Sequence, residues 1–122
     1  MVAPGIPGLL KEIYLAIEDK KGENPLLLDL RGLTSLTDFF FIVSAWSERQ
    51  VRAIQNEIEQ RLRQNKVRPL HKEGEESGRW VLLDYGYVIV HIFLHETRKY
   101  YELEHLWADA PLIDLAEEFK QT

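Results

Sequence analysis

The chain of 122 residues has the length of one ordinary domain, with 45% apolar residues, 29% charged residues and a formal net charge of −5. This is a globular composition, and its acidic balance excludes a strongly basic, general nucleic-acid binder. No apolar run approaches the roughly 20 residues of a membrane helix, Cys is absent, and the N-terminus lacks signal-peptide regions, so we expect a cytoplasmic protein without a membrane partner.

The first half of the chain predicts a helix followed by two strands. Apolar residues recur at helical spacing from Leu9 to Lys20, and Gly22 is placed to end that helix. A short strand is expected around Leu27 to Leu30. A longer strand follows in "DFFFIVSAW", whose aromatic and β-branched residues suit a buried sheet.

The stretch "WSERQV" predicts the start of a second helix, from Glu48 to about Gln64. Ser47 is expected to accept from the backbone N–H of Gln50, whose side chain would reach back to the Ser47 N–H. Trp46 and Val51 occupy the positions of a hydrophobic staple. The apolar stripe of this helix indicates core packing.

The second half predicts a short strand at Val67 to His71, a loop, the hairpin Trp80 to Phe93 and a helix from about Glu96 to Trp107. Asp114 and Glu117 stand in capping-box positions of a short tail. We therefore predict one α/β (α+β) domain over residues 1–122, with a core at about 9–110, a tail at 111–122, and a mixed sheet of about five strands flanked by helices.

The hairpin carries two unlike faces. A reversal at Tyr85-Gly86 predicts Val81 opposite Val90 and Trp80 opposite His91. Alternation then gives an aliphatic face and a mixed face of large apolar and polar side chains. The mixed face is either covered by helices or exposed as a partner surface. Its members are Trp80, Leu82, Asp84, Tyr87, Ile89, His91 and Phe93.

Catalytic and metal motifs are absent from the sequence. The four His residues lack ligand spacing, no nucleophile elbow or phosphate loop occurs, and the candidate carboxylates Asp29, Asp38 and Asp84 are isolated. Two-metal phosphoryl transfer would need such carboxylates clustered. We therefore predict no catalytic residues, no metal and no cofactor.

Charge is distributed unevenly along the chain. From Glu48 to Lys72 seven basic residues stand against three acidic ones, and from Glu96 to Lys120 seven acidic residues stand against three basic ones. Such segments are either solvated helix faces or the means of orienting the protein on a large charged partner.

Long stretches resemble the ribosomal silencing factor family, also called RsfS or Iojap-like. The matching stretches are "IEDKKGENPLLLDLRGLTSLTDFFFIVSAWSERQVRAI", "GRWVLLDYGYVIVHIF" and "RKYYELEHLWADAP". The resemblance implies a nucleotidyltransferase-like fold without the catalytic motif. It also implies binding to ribosomal protein fourteen on the intersubunit face of the large subunit, which would block subunit joining and repress translation when nutrients are scarce.

The resemblance also implies contact residues for the ribosomal protein. Tyr87 departs from the family, which usually has Asp after the turn glycine, and we expect it beside Asp84 on the mixed face. His91 is expected to make binding pH-sensitive near neutrality. The alternatives are a homodimer through the mixed faces and an enzyme with residual nucleotide binding; sequence-specific nucleic-acid binding is not expected. The predicted contacts are Trp80, Leu82, Asp84, Tyr85, Ile89, His91 and Tyr101.

Overall fold

In the computed structural model, which describes residues 7–119, groups of one to three strands are separated by helices along the chain. The elements are α1 (Leu9–Asp19), β1 (Glu23–Asp29), β2 (Phe39–Ala45), α2 (Glu48–Gln64), β3 (His71–Glu73), β4 (Trp80–Asp84), β5 (Val88–Leu94), α3 (His95–Tyr101), α4 (Leu103–Leu106), β6 (Leu112–Ile113) and α5 (Leu115–Glu118). None of the helices formed by these residues has the length and apolarity to span a bilayer.

The strands form one mixed sheet in the order β3-β4-β5-β2-β1-β6. β2 and β5 are parallel, with Phe39 opposite Val88 and Ala45 opposite Leu94, and every other pair is antiparallel. All seven residues of β2 are buried because this central strand is covered on both faces. The predicted mixed α+β sheet is confirmed, with six strands instead of about five.

Two apolar clusters cover the two faces of the sheet. On one face, α1 and α2 pack on the aliphatic side of the hairpin, where Val81, Leu83 and Val90 are fully buried. On the other face, Leu103 and Ala110 pack over the inner strands. The helices on the second face are much shorter, so its cover is less complete towards β4, whose residues on that side are only partly buried.

The predicted bounds of α2 and its cap are confirmed. Ser47 Oγ accepts from the Gln50 N–H at 3.0 Å. The Gln50 side chain, however, accepts from the Trp46 N–H at 2.8 Å instead of the Ser47 N–H, while its amide donates to the carbonyls of Lys20 and Lys21. Trp46 is 64% exposed and its ring lies 4.3 Å from that of His95, so it is not buried as a staple.

Two predicted elements near the hairpin were wrong in extent. β3 begins only at His71, because the chain before it is still bonded to the end of α2: the Val67 N–H donates to the Leu62 carbonyl. The helix predicted from Glu96 to Trp107 is interrupted at Glu102, whose φ of 47° lies in the left-handed region. This break turns α4 towards the sheet and leaves the end of α3 in solvent.

The predicted tail contributes to the sheet and to the core. Leu112 pairs with Leu28 as β6, and Phe119 is 1% exposed and stacks on Tyr14 with ring centroids 5.5 Å apart. The Asp114 carboxylate accepts from the Glu117 N–H at 3.2 Å, as its capping-box position predicted. The first apolar cluster therefore extends to Phe119, past the predicted end of the core near residue 110. Residues 1–6 and 120–122 of the predicted domain lie outside the described residues.

Candidate functional site

The hairpin register differs from the prediction by one residue at the turn. Leu82 is paired with His91 and Trp80 with Phe93, and the Tyr85 N–H donates to the Val88 carbonyl at 2.9 Å. The loop is therefore Gly86-Tyr87, with positive φ (89°) only at its first residue, which is where a type II′ turn needs glycine. Moving the turn centre by one residue shifts each cross-strand partner by two, so the faces of both strands are preserved.

Trp80 is half-buried at the open edge of the mixed face and is held from three sides. Its ring stacks on Phe93 with centroids 4.7 Å apart and contacts Tyr101 at 5.0 Å. Its Nε1–H donates to His91 Nδ1 at 3.1 Å. The Trp80 to His91 contact predicted from directly opposed positions is thus made diagonally, which is within reach of a large side chain.

His91 is buried, only 4% exposed, and does not reach the surface. Burial lowers its pKa to about 3, so it stays neutral at physiological pH. Because Nδ1 accepts from Trp80, the ring proton belongs on Nε2, which has no hydrogen-bond partner among the described residues. This burial argues against the predicted pH-sensitive binding near neutrality, and the hydrogen bond from Trp80 fixes the two rings relative to each other.

Two more predicted contact residues are buried. Ile89 is 6% exposed and packs among the apolar residues of the second cluster. Tyr85 is also 6% exposed, but it packs on the opposite face of the sheet, in the cluster formed with α1 and α2. Burial raises the pKa of Tyr85. Neither side chain reaches a partner without rearrangement of the core, so contact by Ile89 and Tyr85 stays a prediction that their burial does not favour.

The turn uses Asp84 and Tyr87 in ways that the alternation did not predict. Asp84 Oδ1 accepts from the Gly86 N–H at 2.8 Å, so part of this carboxylate stabilises the turn. Tyr87 packs against the cluster under α1 and α2, not beside Asp84, and burial raises its pKa to about 12. A loop residue does not follow strand alternation, which explains why Tyr87 was assigned to the wrong face.

The end of α3 completes an exposed aromatic surface. Tyr101 is 52% exposed and Tyr100 is 80% exposed, with their ring centroids 5.0 Å apart. A cleft of about 430 Å³ lies between these rings, Trp80 and the start of α3. We call Trp80, Leu82, Tyr100 and Tyr101 the aromatic surface.

The sequence prediction included three members of the aromatic surface and missed Tyr100. A signal for it was available: adjacent residues on a helix point about 100° apart, so two consecutive tyrosines cannot both face a narrow core stripe. Of the remaining predicted contacts, Asp84 is partly exposed at the turn end of β4, away from Trp80.

The carboxylates considered for phosphoryl transfer do not form one site. Asp29 lies on β1 and Asp84 on β4, with β2 and β5 between them, a separation of about 14 Å at about 4.8 Å per strand. Asp29 is also paired with Arg31 at 2.8 Å, and hydrogen bonds from Arg31 hold the pKa of Asp29 below its usual value. Within residues 7–119 no group of three or more His, Asp or Glu could hold a metal ion.

Comparison with known proteins gives consistent matches across the chain. The family model described as "Ribosomal silencing factor during starvation" matches residues 4–122. The ribosomal silencing factor RsfS of Bacillus subtilis is 43% identical over 107 residues, covering 88% of this chain and 91% of the relative. The chloroplastic protein Iojap of Zea mays is 32% identical over 100 residues, covering 82% of this chain and 43% of that longer protein.

The fold also matches a solved structure. A crystal structure of a protein from Chromobacterium violaceum superposes with a TM-score of 0.79 at 40% sequence identity, covering 82% of this chain and 83% of that one. The likeness therefore extends over the sheet and its helices.

Proposed function

The chain belongs to the ribosomal silencing factor family, and we propose that it represses translation by binding ribosomal protein fourteen of the large subunit and blocking the small subunit. The action is occupancy, without catalysis. Membership of the family supports a ribosomal partner and a role in translation regulation. The binding of protein fourteen and the steric block of the small subunit are our proposal.

The observation that carries the proposal is the packing of Trp80. Partly exposed indole rings that are rigidly held make strong interface anchors, because little side-chain freedom is lost when they bind. Trp80 is fixed by Phe93 below it and by the hydrogen bond to His91. Tyr100 and Tyr101 extend the exposed apolar area beside it, giving the aromatic centre typical of protein interfaces.

Blocking the small subunit by occupying space requires only a modest interface between this domain and the large subunit. A standard interface buries about 800 Å² on each partner, while the domain exposes 7141 Å² in total. Most of the bound domain would therefore project from its partner. If the aromatic surface docks on the intersubunit side, the projecting sheet and helices fill space that the small subunit needs.

Tyr101→Ala tests the aromatic surface with little effect on the fold. Tyr101 is 52% exposed, so its truncation should leave the free energy of unfolding nearly unchanged while weakening binding to isolated ribosomal protein fourteen about tenfold. Leu33→Ala is the matched control, because Leu33 is 48% exposed in the loop between β1 and β2. Calorimetric titration should give a lower affinity for Tyr101→Ala than for Leu33→Ala. Equal affinities would show that Tyr101 is not part of the interface.

A homodimer through the same surface is the competing use of these residues. It predicts a mass in solution that rises with concentration and falls in Tyr101→Ala. If protein fourteen binds the same surface, adding it should dissociate the dimer, and analytical ultracentrifugation of the mixture would show this directly.

A further inference from the structure

The basic stretch from Glu48 to Lys72 is largely neutralised within α2. Arg52 lies 3.8 Å from Glu48, and Arg61 lies 2.8 Å from Glu57. Lys72 on β3 is paired with Glu59 at 3.3 Å. These pairs neutralise Arg52, Arg61 and Lys72, while Arg49 at the start of α2 forms no ion pair with another residue in the range 7–119.

Three cations remain together just past this neutralised region. Arg63, Lys66 and Arg68 are exposed, and none of them forms an ion pair with another residue in the range 7–119. Arg63 and Arg68 line one cleft of about 260 Å³ between the last turn of α2 and the segment leading to β3, together with Lys72 and the Glu59 carboxylate with which Lys72 is paired. We call Arg63, Lys66 and Arg68 the basic corner.

The helix dipole accounts for only part of this cluster. Cations in the last turn of a helix are favoured by the partial negative charge of its carbonyl end. Arg63 lies in that last turn, but Lys66 and Arg68 follow the end of α2 at Gln64. Arg63 and Arg68 share one cleft, so their charges repel each other, and this repulsion is relieved when an anion binds between them.

The basic corner lies next to one end of the mixed face. The Leu70 N–H donates to the Asp84 carbonyl at 2.7 Å, so the segment after α2 is fixed to the end of β4. Arg68 is two residues before this hydrogen bond. This is the turn end of β4, about 13 Å along the strand from Trp80, so a partner that covers the length of β4 also reaches the basic corner.

We propose that the basic corner binds the phosphate backbone of ribosomal RNA at the turn end of β4, while the aromatic surface at the other end of the strand contacts the ribosomal protein. The inference rests on the proposed function, since it takes the large subunit as the partner. A chain of net charge −5 is repelled overall by the RNA phosphates exposed there. Presenting the unpaired cations of the basic corner towards the RNA reverses this repulsion locally and orients the domain.

Salt dependence of binding to purified large subunits tests the proposal. Neutralising two phosphate contacts in Arg63→Gln/Arg68→Gln should flatten the slope of log affinity against log salt by about 1.5 and weaken binding about 30-fold near 0.1 M salt. The control is Lys21→Gln/Arg49→Gln, which removes the same charge from exposed residues outside the basic corner. We expect the control to keep the wild-type slope.

The outcomes distinguish this proposal from the proposed function. If wild type binds and both double variants share its slope, or if the arginine variant weakens binding without changing the slope, phosphate contact by the basic corner is overturned while subunit binding stands. If wild type does not bind large subunits at any salt concentration, both proposals fail. A flattened slope in the arginine variant alone supports the RNA contact.

Discussion

Trp80→Ala should lower the affinity for large ribosomal subunits by at least about 30-fold, the effect of losing an interface anchor worth about 2 kcal/mol or more. The reason is geometric, because Trp80 contacts Tyr101 and Phe93 and gives the aromatic surface its shape. Truncation also removes the donor to His91 and leaves that nitrogen without its partner. Co-sedimentation with purified subunits over a concentration series measures the change.

Trp46→Ala is the matched control for this experiment. Trp46 is 64% exposed and lies at the end of β2 against His95, outside the aromatic surface. Its removal should leave subunit binding unchanged. Thermal unfolding of both variants separates a loss of contact from a loss of fold, and Trp80→Phe retains the packing on Phe93 if the alanine variant is unstable. Equal binding by the two alanine variants would contradict the assignment of the site.

The second large effect is acid destabilisation through His91. Its pKa is lowered by burial to about 3 in the folded chain and is near 6.5 when unfolded. Between these values the unfolded state binds a proton that the folded state does not. Stability should therefore fall as pH drops below about 6.5, by up to about 1.4 kcal/mol per pH unit from this residue.

His91→Gln removes this proton-linked term and tests it. Denaturant unfolding from pH 7 to pH 4 should give a shallower loss of stability in the variant, whatever its stability at pH 7. Asp29 and Glu75, whose pKa values are lowered, also lose stabilising interactions in acid, but they do so equally in both proteins and cancel in the difference. Identical pH slopes would show that His91 is not held neutral by burial.

The elements predictable from sequence were those with strong local signals. The cap at Ser47 and the stripe of α2 depend on residues within one helix, and both bounds were confirmed. The aromatic and β-branched residues of β2 indicated a strand in a buried sheet, and all seven of its residues are buried. The family resemblance was confirmed by the comparisons over nearly the whole chain.

The errors arose where long-range packing decides the structure. Leu103 and Ala110 decide which side chains of the mixed face are covered. These two residues reach the sheet only because the helix breaks at Glu102. No local pattern predicts that break, since Glu rarely adopts the left-handed conformation. Tyr87 lies on a different face from the predicted one because the turn is shifted by one residue. The burial of His91 depends on the cover that Leu103 and Ala110 provide.

The most direct test of the central claim is a subunit-joining measurement. Purified small and large subunits are mixed at a magnesium concentration that permits association, with the wild-type protein or Trp80→Ala, and are separated by sedimentation through sucrose. Silencing by occupancy predicts free subunits with wild type, the protein migrating with the large subunit, and joined ribosomes with Trp80→Ala. Joined ribosomes that form undiminished while the wild-type protein remains bound to the large subunit would contradict it.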